Sequence, residues 1–135
     1  MSEDGSYAQS KRIPAGTDLS EVFPYARAVR IGHIIEIAGT GAYDEAGNLV
    51  GAGDVYEQAK CIYAIIERTL ASAGAAMTDV AKVTVFTTDI SRWEEIARAH
   101  RAHFREIPPA VTVVEVTALM SPEMLVEIEA TAVVS

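Results

Sequence analysis

The sequence predicts an α+β fold, a mixed β-sheet with two helices packed on one face. Three observations lead there. Apolar residues recur at helical spacing over 54–73 and again from Ser91 to the break at Pro108-Pro109. Segments of alternating, largely β-branched residues flank both helices. The 135 residues suit one hydrophobic core, so 1–135 is read as a single domain with a flexible tail at 1–10.

Each element has a local reason. From Tyr25 to Ile31 the chain alternates, and Gly32-His33 offers a two-residue turn into Ile34–Ala38, a β-hairpin; a further strand near Arg12-Ile13 is an option. Gly39, Gly41 and Gly47-Asn48 mark a loop that Gly51 and Gly53 close. Asp54 with Glu57 resembles a capping box, and Val55, Ala59, Ile62, Tyr63, Ile66 and Leu70 then form an apolar stripe that Gly74 ends. Val80–Thr88 is a β-branched strand. Ser91 with Glu94 is a second capping box, opening a helix whose inner face is Trp93, Ile96, Ala97, His100 and Phe104. Two strands follow, Val111–Ala118 and Leu125–Val134, separated by Ser121-Pro122.

Composition narrows the function. Half the residues are hydrophobic and 22% are charged, too apolar for disorder. Eleven Lys and Arg against nineteen Asp and Glu give −8, which repels phosphate backbones, so neither nucleic acid nor an anionic membrane is an expected partner. The one cysteine, Cys61, excludes an intramolecular disulfide and reads as a small core residue. No apolar run approaches the roughly 18 residues of a membrane span. The start Met1-Ser2-Glu3-Asp4-Gly5-Ser6 is the opposite of a signal peptide, so a cytoplasmic location is expected.

The last strand is where chemistry is expected. Val126, Ile128, Ala130, Ala132 and Val134 point towards the helices, whereas Leu125, Glu127, Glu129, Thr131 and Val133 point the other way. Two carboxylates on that second face mark solvent or a wet interface. Glu115, between Val114 and Val116, is either a general acid or base of raised pKa or a carboxylate held by backbone N–H groups. If the last two strands pair antiparallel, Glu115 shares a face with Glu127 or lies opposite, according to register. Arg27, across the hairpin from Ala38 and diagonal to Glu36, either pairs with Glu36 or offers its donor fork to a substrate carboxylate. His100 and His103 are three apart on a helix but have no third ligand at suitable spacing, so no metal is expected. The glycines lack the lysine of a phosphate loop.

Five segments together resemble a known family. They are Pro24-Tyr25-Ala26-Arg27-Ala28-Val29-Arg30-Ile31-Gly32, Ala38-Gly39-Thr40, and Val83-Thr84-Val85-Phe86-Thr87-Thr88-Asp89; then Pro109-Ala110 with Val114-Glu115-Val116, and Val126-Glu127-Ile128-Glu129-Ala130-Thr131-Ala132. From about residue 22 to 134 the chain resembles the reactive intermediate deaminase (Rid, YjgF-type) family. The resemblance implies a chorismate-mutase-like fold and a homotrimer with the sheets facing inward and ligand clefts between subunits. It also implies hydrolysis of enamines and imines, such as 2-aminoacrylate, to 2-oxo acids plus ammonia, with no metal or organic cofactor.

Carried over by position, Glu127 matches the family's water-positioning Glu, Tyr25 its site Tyr, and Glu115 a carboxylate common beside the site. The family's carboxylate-clamping Arg falls at Val111 and a neighbouring Cys at Val113. The Ser and Gln around Gly39 are Ala38 and Thr40. The chain therefore resembles an Arg-lacking branch that shares Tyr-x-Arg-Ala-Val-Arg and Pro-Glu-Met-Leu-Val-Glu-Ile-Glu-Ala-Thr-Ala. The expected catalytic residues are Glu127 and Glu115; the expected substrate-binding residues are Tyr25, Arg27, Ala38, Gly39, Thr40, Val111 and Val113. Two functions follow: a cofactor-free hydrolase of a small C=N or enamine metabolite, or a trimeric small-molecule binder or interaction protein without catalysis. The ribonuclease or translation-inhibitor activity proposed for some relatives is disfavoured by the −8 charge.

Overall fold

The computed structural model describes residues 10–135; the rest of the expected tail lies outside the described residues. Alternation becomes a six-stranded sheet: β1 (Ser10–Pro14), β2 (Ala26–Ile31), β3 (Ile34–Thr40), β4 (Val80–Thr87), β5 (Ala110–Glu115) and β6 (Val126–Val133), in the order β1-β2-β3-β6-β4-β5. Three helices connect them: a one-turn α1 (Leu19–Val22) that buries no residue, α2 (Val55–Ser72) and α3 (Trp93–Phe104). The two long helices pack on one face, as the sequence predicts, and β1 turns the strand near Arg12-Ile13 into the sheet edge.

Helix α2 starts where Asp54 accepts from the Glu57 amide at 3.0 Å and stops at Gly74, whose φ of +85° favours glycine. Its stripe of Val55, Ala59, Ile62, Tyr63, Ile66 and Leu70 is buried against Ile35, Ile37, Val83, Val85, Ile128 and Ala130 of the sheet. Each of the larger side chains contributes roughly 1.5–3 kcal/mol on burial. Cys61 is half-buried and packs against this core. Burial also raises its thiol pKa.

The structure corrects two local expectations and decides a pairing that the sequence left open. The lead into α3 is capped by Asp89, which accepts from the Ser91 amide at 3.1 Å and the Ser91 hydroxyl at 2.6 Å; Ser91 is a donor here, not the cap. A 3₁₀ turn (Ile90–Arg92) intervenes, and the packed face of α3 comprises Ile96, Ala99 and Phe104. Trp93, at the helix's first residue and a full turn ahead of Ile96, is 53% exposed. Finally, the last two strands do not pair with each other. β4 lies between them, parallel to β5 and antiparallel to β6.

The start of β6 is fixed by two buried polar residues. Gln58, on the apolar stripe of α2, accepts from the Leu125 amide at 2.9 Å while its amide group donates to Gly51 and Glu123 carbonyls. The Thr87 hydroxyl donates to the Leu125 carbonyl at 2.9 Å. Both groups of Leu125 are thus held, and a strand with a fixed first residue has a fixed register.

Candidate functional site

That register turns Val126, Ile128, Ala130 and Ala132 into the core and leaves Glu127, Glu129 and Thr131 on the helix-free face. On the next strand β3 carries an extra residue. Ile37 pairs with Ala130 but Thr40 pairs with Ile128, so 38–39 bulge out of the ladder. The bulge brings Gly39 against the Glu127 side chain. A Cβ at Gly39 would lie 2.9 Å from Glu127 Oε2 and 3.0 Å from its Cδ, so any larger residue would displace that carboxylate.

Arg27, on β2, holds the bulge from the other side. Its Nη2 donates to the Gly39 carbonyl at 2.7 Å, the Ala38 carbonyl at 3.2 Å and the Thr40 hydroxyl at 3.2 Å. The Thr40 hydroxyl itself donates to the Ala38 carbonyl at 2.8 Å. The Arg27–Glu36 ion pair envisaged from the hairpin is not formed: Glu36 instead accepts from the Thr131 hydroxyl at 2.6 Å. The reason is the bulge, whose unpaired carbonyls present acceptors to Arg27 that a regular ladder would have consumed. Tyr25 stands beside the guanidinium, its ring centre 5.8 Å from Arg27 Cζ, and its hydroxyl is 2.8 Å from the Thr17 hydroxyl. Thr17 gave no signal in the sequence. Gln58 gave one, a lone amide on an apolar helical stripe.

The electrostatics follow from partial burial. Loss of water raises the Glu127 carboxyl above its ordinary value; the Arg27 charge pulls it back and Glu129 pushes it up further. Burial lowers the Arg27 pKa, while Tyr25 and Glu127 favour its charged form. Alongside lies a shallow depression of about 270 Å³ that shares Ala38 and is bounded by Val29, Glu36, Lys82, Glu129 and Thr131.

The remaining candidates lie elsewhere. Val111, Val113 and Glu115 pair in register with Val83, Val85 and Thr87, so they belong to the opposite side of the sheet from Glu127. Val111 and Val113 are exposed on edge strand β5. Glu115 accepts from the Ile90 amide at 2.8 Å, the backbone-held alternative for this carboxylate. His100 Nδ1 is 2.7 Å from the buried Tyr63 hydroxyl, and burial lowers its pKa. Among the described residues no group of three or more His, Cys, Asp or Glu is arranged to hold a metal ion, and no helix is long and apolar enough to cross a membrane.

The model of the family described as Endoribonuclease L-PSP matches residues 16–134. The chain belongs to that family. It is similar to a RutC family protein of Pyrococcus abyssi, 37% identical over 110 residues covering 81% of this chain and 85% of the relative. A solved structure from Mycobacterium tuberculosis, described as a member of the highly conserved YjgF/YER057c/UK114 family, is 38% identical. It superposes with a TM-score of 0.83 over 93% of this chain and 99% of that one. RidA from an Antarctic Psychrobacter is 28% identical, with a TM-score of 0.79 over 91% and 94% of the two chains. The YjgF/Rid family membership and the mixed α+β fold that the motifs implied are thus both found.

Proposed function

We propose that this chain is a cofactor-free hydrolase that converts a small enamine or imine metabolite into a carbonyl product plus ammonia, in a cleft between subunits of a homotrimer. The observation that carries the reading is Glu127, a carboxyl of raised pKa held against Gly39 on the open sheet face. Such a group accepts a proton from water and returns it within one turnover. An enamine first takes a proton from solvent on its terminal carbon to become a protonated imine. Water adds to the imine carbon as its proton passes to Glu127. Glu127 returns that proton to the nitrogen of the resulting carbinolamine, and the C–N bond breaks as the hydroxyl gives up its own proton to solvent, leaving the carbonyl product and ammonia. The imine carbon is already electrophilic, so positioning and proton transfer suffice.

Tyr25 would wall the site and Arg27 would supply its positive charge, with Ala38, Gly39 and Thr40 as its floor. Val111, Val113 and Glu115 lie across β4 from Glu127 within one chain, so they would join a site with it from a neighbouring copy. Val111 also supports a second reading, a trimeric small-molecule binder without catalysis, because an exposed valine offers no clamp for a carboxylate.

A coupled assay with freshly generated 2-aminoacrylate tests both. Faster pyruvate release that disappears in Glu127→Gln supports the hydrolase. No acceleration with any of several imino acids removes it and leaves the binder.

A further inference from the structure

We propose that Arg27 is a positioning residue that acts through the β3 bulge: it fastens 38–40 so that Gly39 holds the Glu127 carboxylate in place, rather than meeting a ligand itself. The proposal deepens the reading above, since it assigns a device to the same site.

Geometry carries it. One guanidinium nitrogen faces three acceptors, the Ala38 and Gly39 carbonyls and the Thr40 hydroxyl, all within 3.2 Å. The two carbonyls belong to residues that the bulge takes out of the ladder, and a charge-assisted donor is the strongest available partner for them. The Nε of Arg27 is buried and has no hydrogen-bond partner. A side chain that leaves one donor unsatisfied while directing another at three acceptors is held by those acceptors, because an unmade buried hydrogen bond is costly. On the other side of the bulge, the Gly39 Cα faces Glu127 so closely that a methyl group would strike its carboxylate. Arg27, bulge and Glu127 are therefore layered in that order.

Besides loss of water, the groups that set the Glu127 titration are Arg27 from β2 and Glu129 on its own strand; the other titratable groups on this face are Tyr25 beside Arg27, Glu36 on β3 and Lys82 further along β4. Its direct partner on β4, Phe86, is uncharged. Arg27 is thus the cation that favours ionised Glu127.

The test follows Glu127 by carboxyl-carbon NMR titration, assigned with Glu127→Gln, and follows the 38–40 amides by hydrogen exchange, in wild type, R27Q and R27K. In R27Q the Glu127 midpoint is expected to rise by about half a pH unit or more, because the opposing charge is gone. Exchange at the bulge is expected to quicken about tenfold, the loss of one charge-assisted hydrogen bond. R27K keeps the charge but not the planar fork, so its Glu127 midpoint moves by less than half as much while exchange still quickens. R27K also serves if R27Q does not fold. Unchanged bulge exchange in R27K, or an unmoved Glu127 midpoint in a folded R27Q, overturns the proposal. Neither readout involves turnover. If both respond and no imine is hydrolysed, the hydrolase reading falls and the positioning role stands; if wild type hydrolyses imines and neither readout moves, the reverse holds.

Discussion

The two faces of the sheet are built from the same strands by alternate residues, yet they have opposite physics. Under α2 and α3, Ile35, Ile37, Val83, Val85 and Ile128 are buried, and polar groups such as Gln58 and Thr87 have backbone partners. On the open face Glu36, Lys82, Glu127, Glu129 and Thr131 stand around a depression and a bulge. The covered side holds the molecule together, and the open side carries Glu127, whose carboxyl loss of water raises above its ordinary value. The lesson is that the first specifies the second, since the register that buries Val126 and Ile128 is what lifts Glu127 out of the core.

Substitutions on the two sides should separate stability from site properties, and the largest effect tests the covered one. Ile62→Ala empties a fully buried position and is expected to cost about 3 kcal/mol in urea unfolding. A loss below 1 kcal/mol would show that the helix layer is not the main support. Gln58→Leu links the two sides: it keeps bulk but frees the Leu125 amide and two carbonyls, at about 2 kcal/mol. It should also move the Glu127 carboxyl signal in NMR, and a motionless Glu127 would break the proposed link. Tyr63→Phe removes the hydroxyl beside His100 Nδ1 and should lower stability by about 1 kcal/mol with no change at Glu127.

Gly39→Ala reverses the pattern. The carboxylate it strikes sits on a flexible side chain and can swing away, so stability should change by less than about 1 kcal/mol. Any imine hydrolysis should fall with it, as pyruvate release would report, because the displaced carboxylate no longer meets the water.

The smallest effect is one of sign. His100 has a folded pKa below its ordinary 6.5, so the unfolded chain binds the proton first and stability falls as pH drops through and below that value. Glu127 has a folded pKa above its ordinary 4.5, so the folded chain binds the proton first, and stability rises as pH falls towards 4.5. Denaturation of His100→Asn and Glu127→Gln between pH 4 and 8 should remove these two limbs separately, and loss of the same limb in both variants would contradict the assignment.

Much of the fold was legible because it rests on local rules. The period of 3.6 over Val55–Leu70, the Asp54 cap, Gly74 and the Gly32-His33 turn each depend on residues within a few positions of one another. The alternation of 126–134 gave the faces of β6 for the same reason. The misreadings were of another kind. Ser91 and Asp89 are equally good caps by type, and only the path of the chain decides between them. The pairing of β5 was open because a strand carries no label for its neighbour.

By itself, then, the sequence determined the element types, the two-helix layer, the acidic open face and the family that its motifs resemble, since periodicity and short motifs act locally. Tertiary structure alone decided that β4 separates Glu115 from Glu127, that β3 bulges at 38–39, and that Arg27 grips the bulge instead of Glu36. Those outcomes depend on strand order and on which carbonyls are left unpaired, quantities set when distant segments meet.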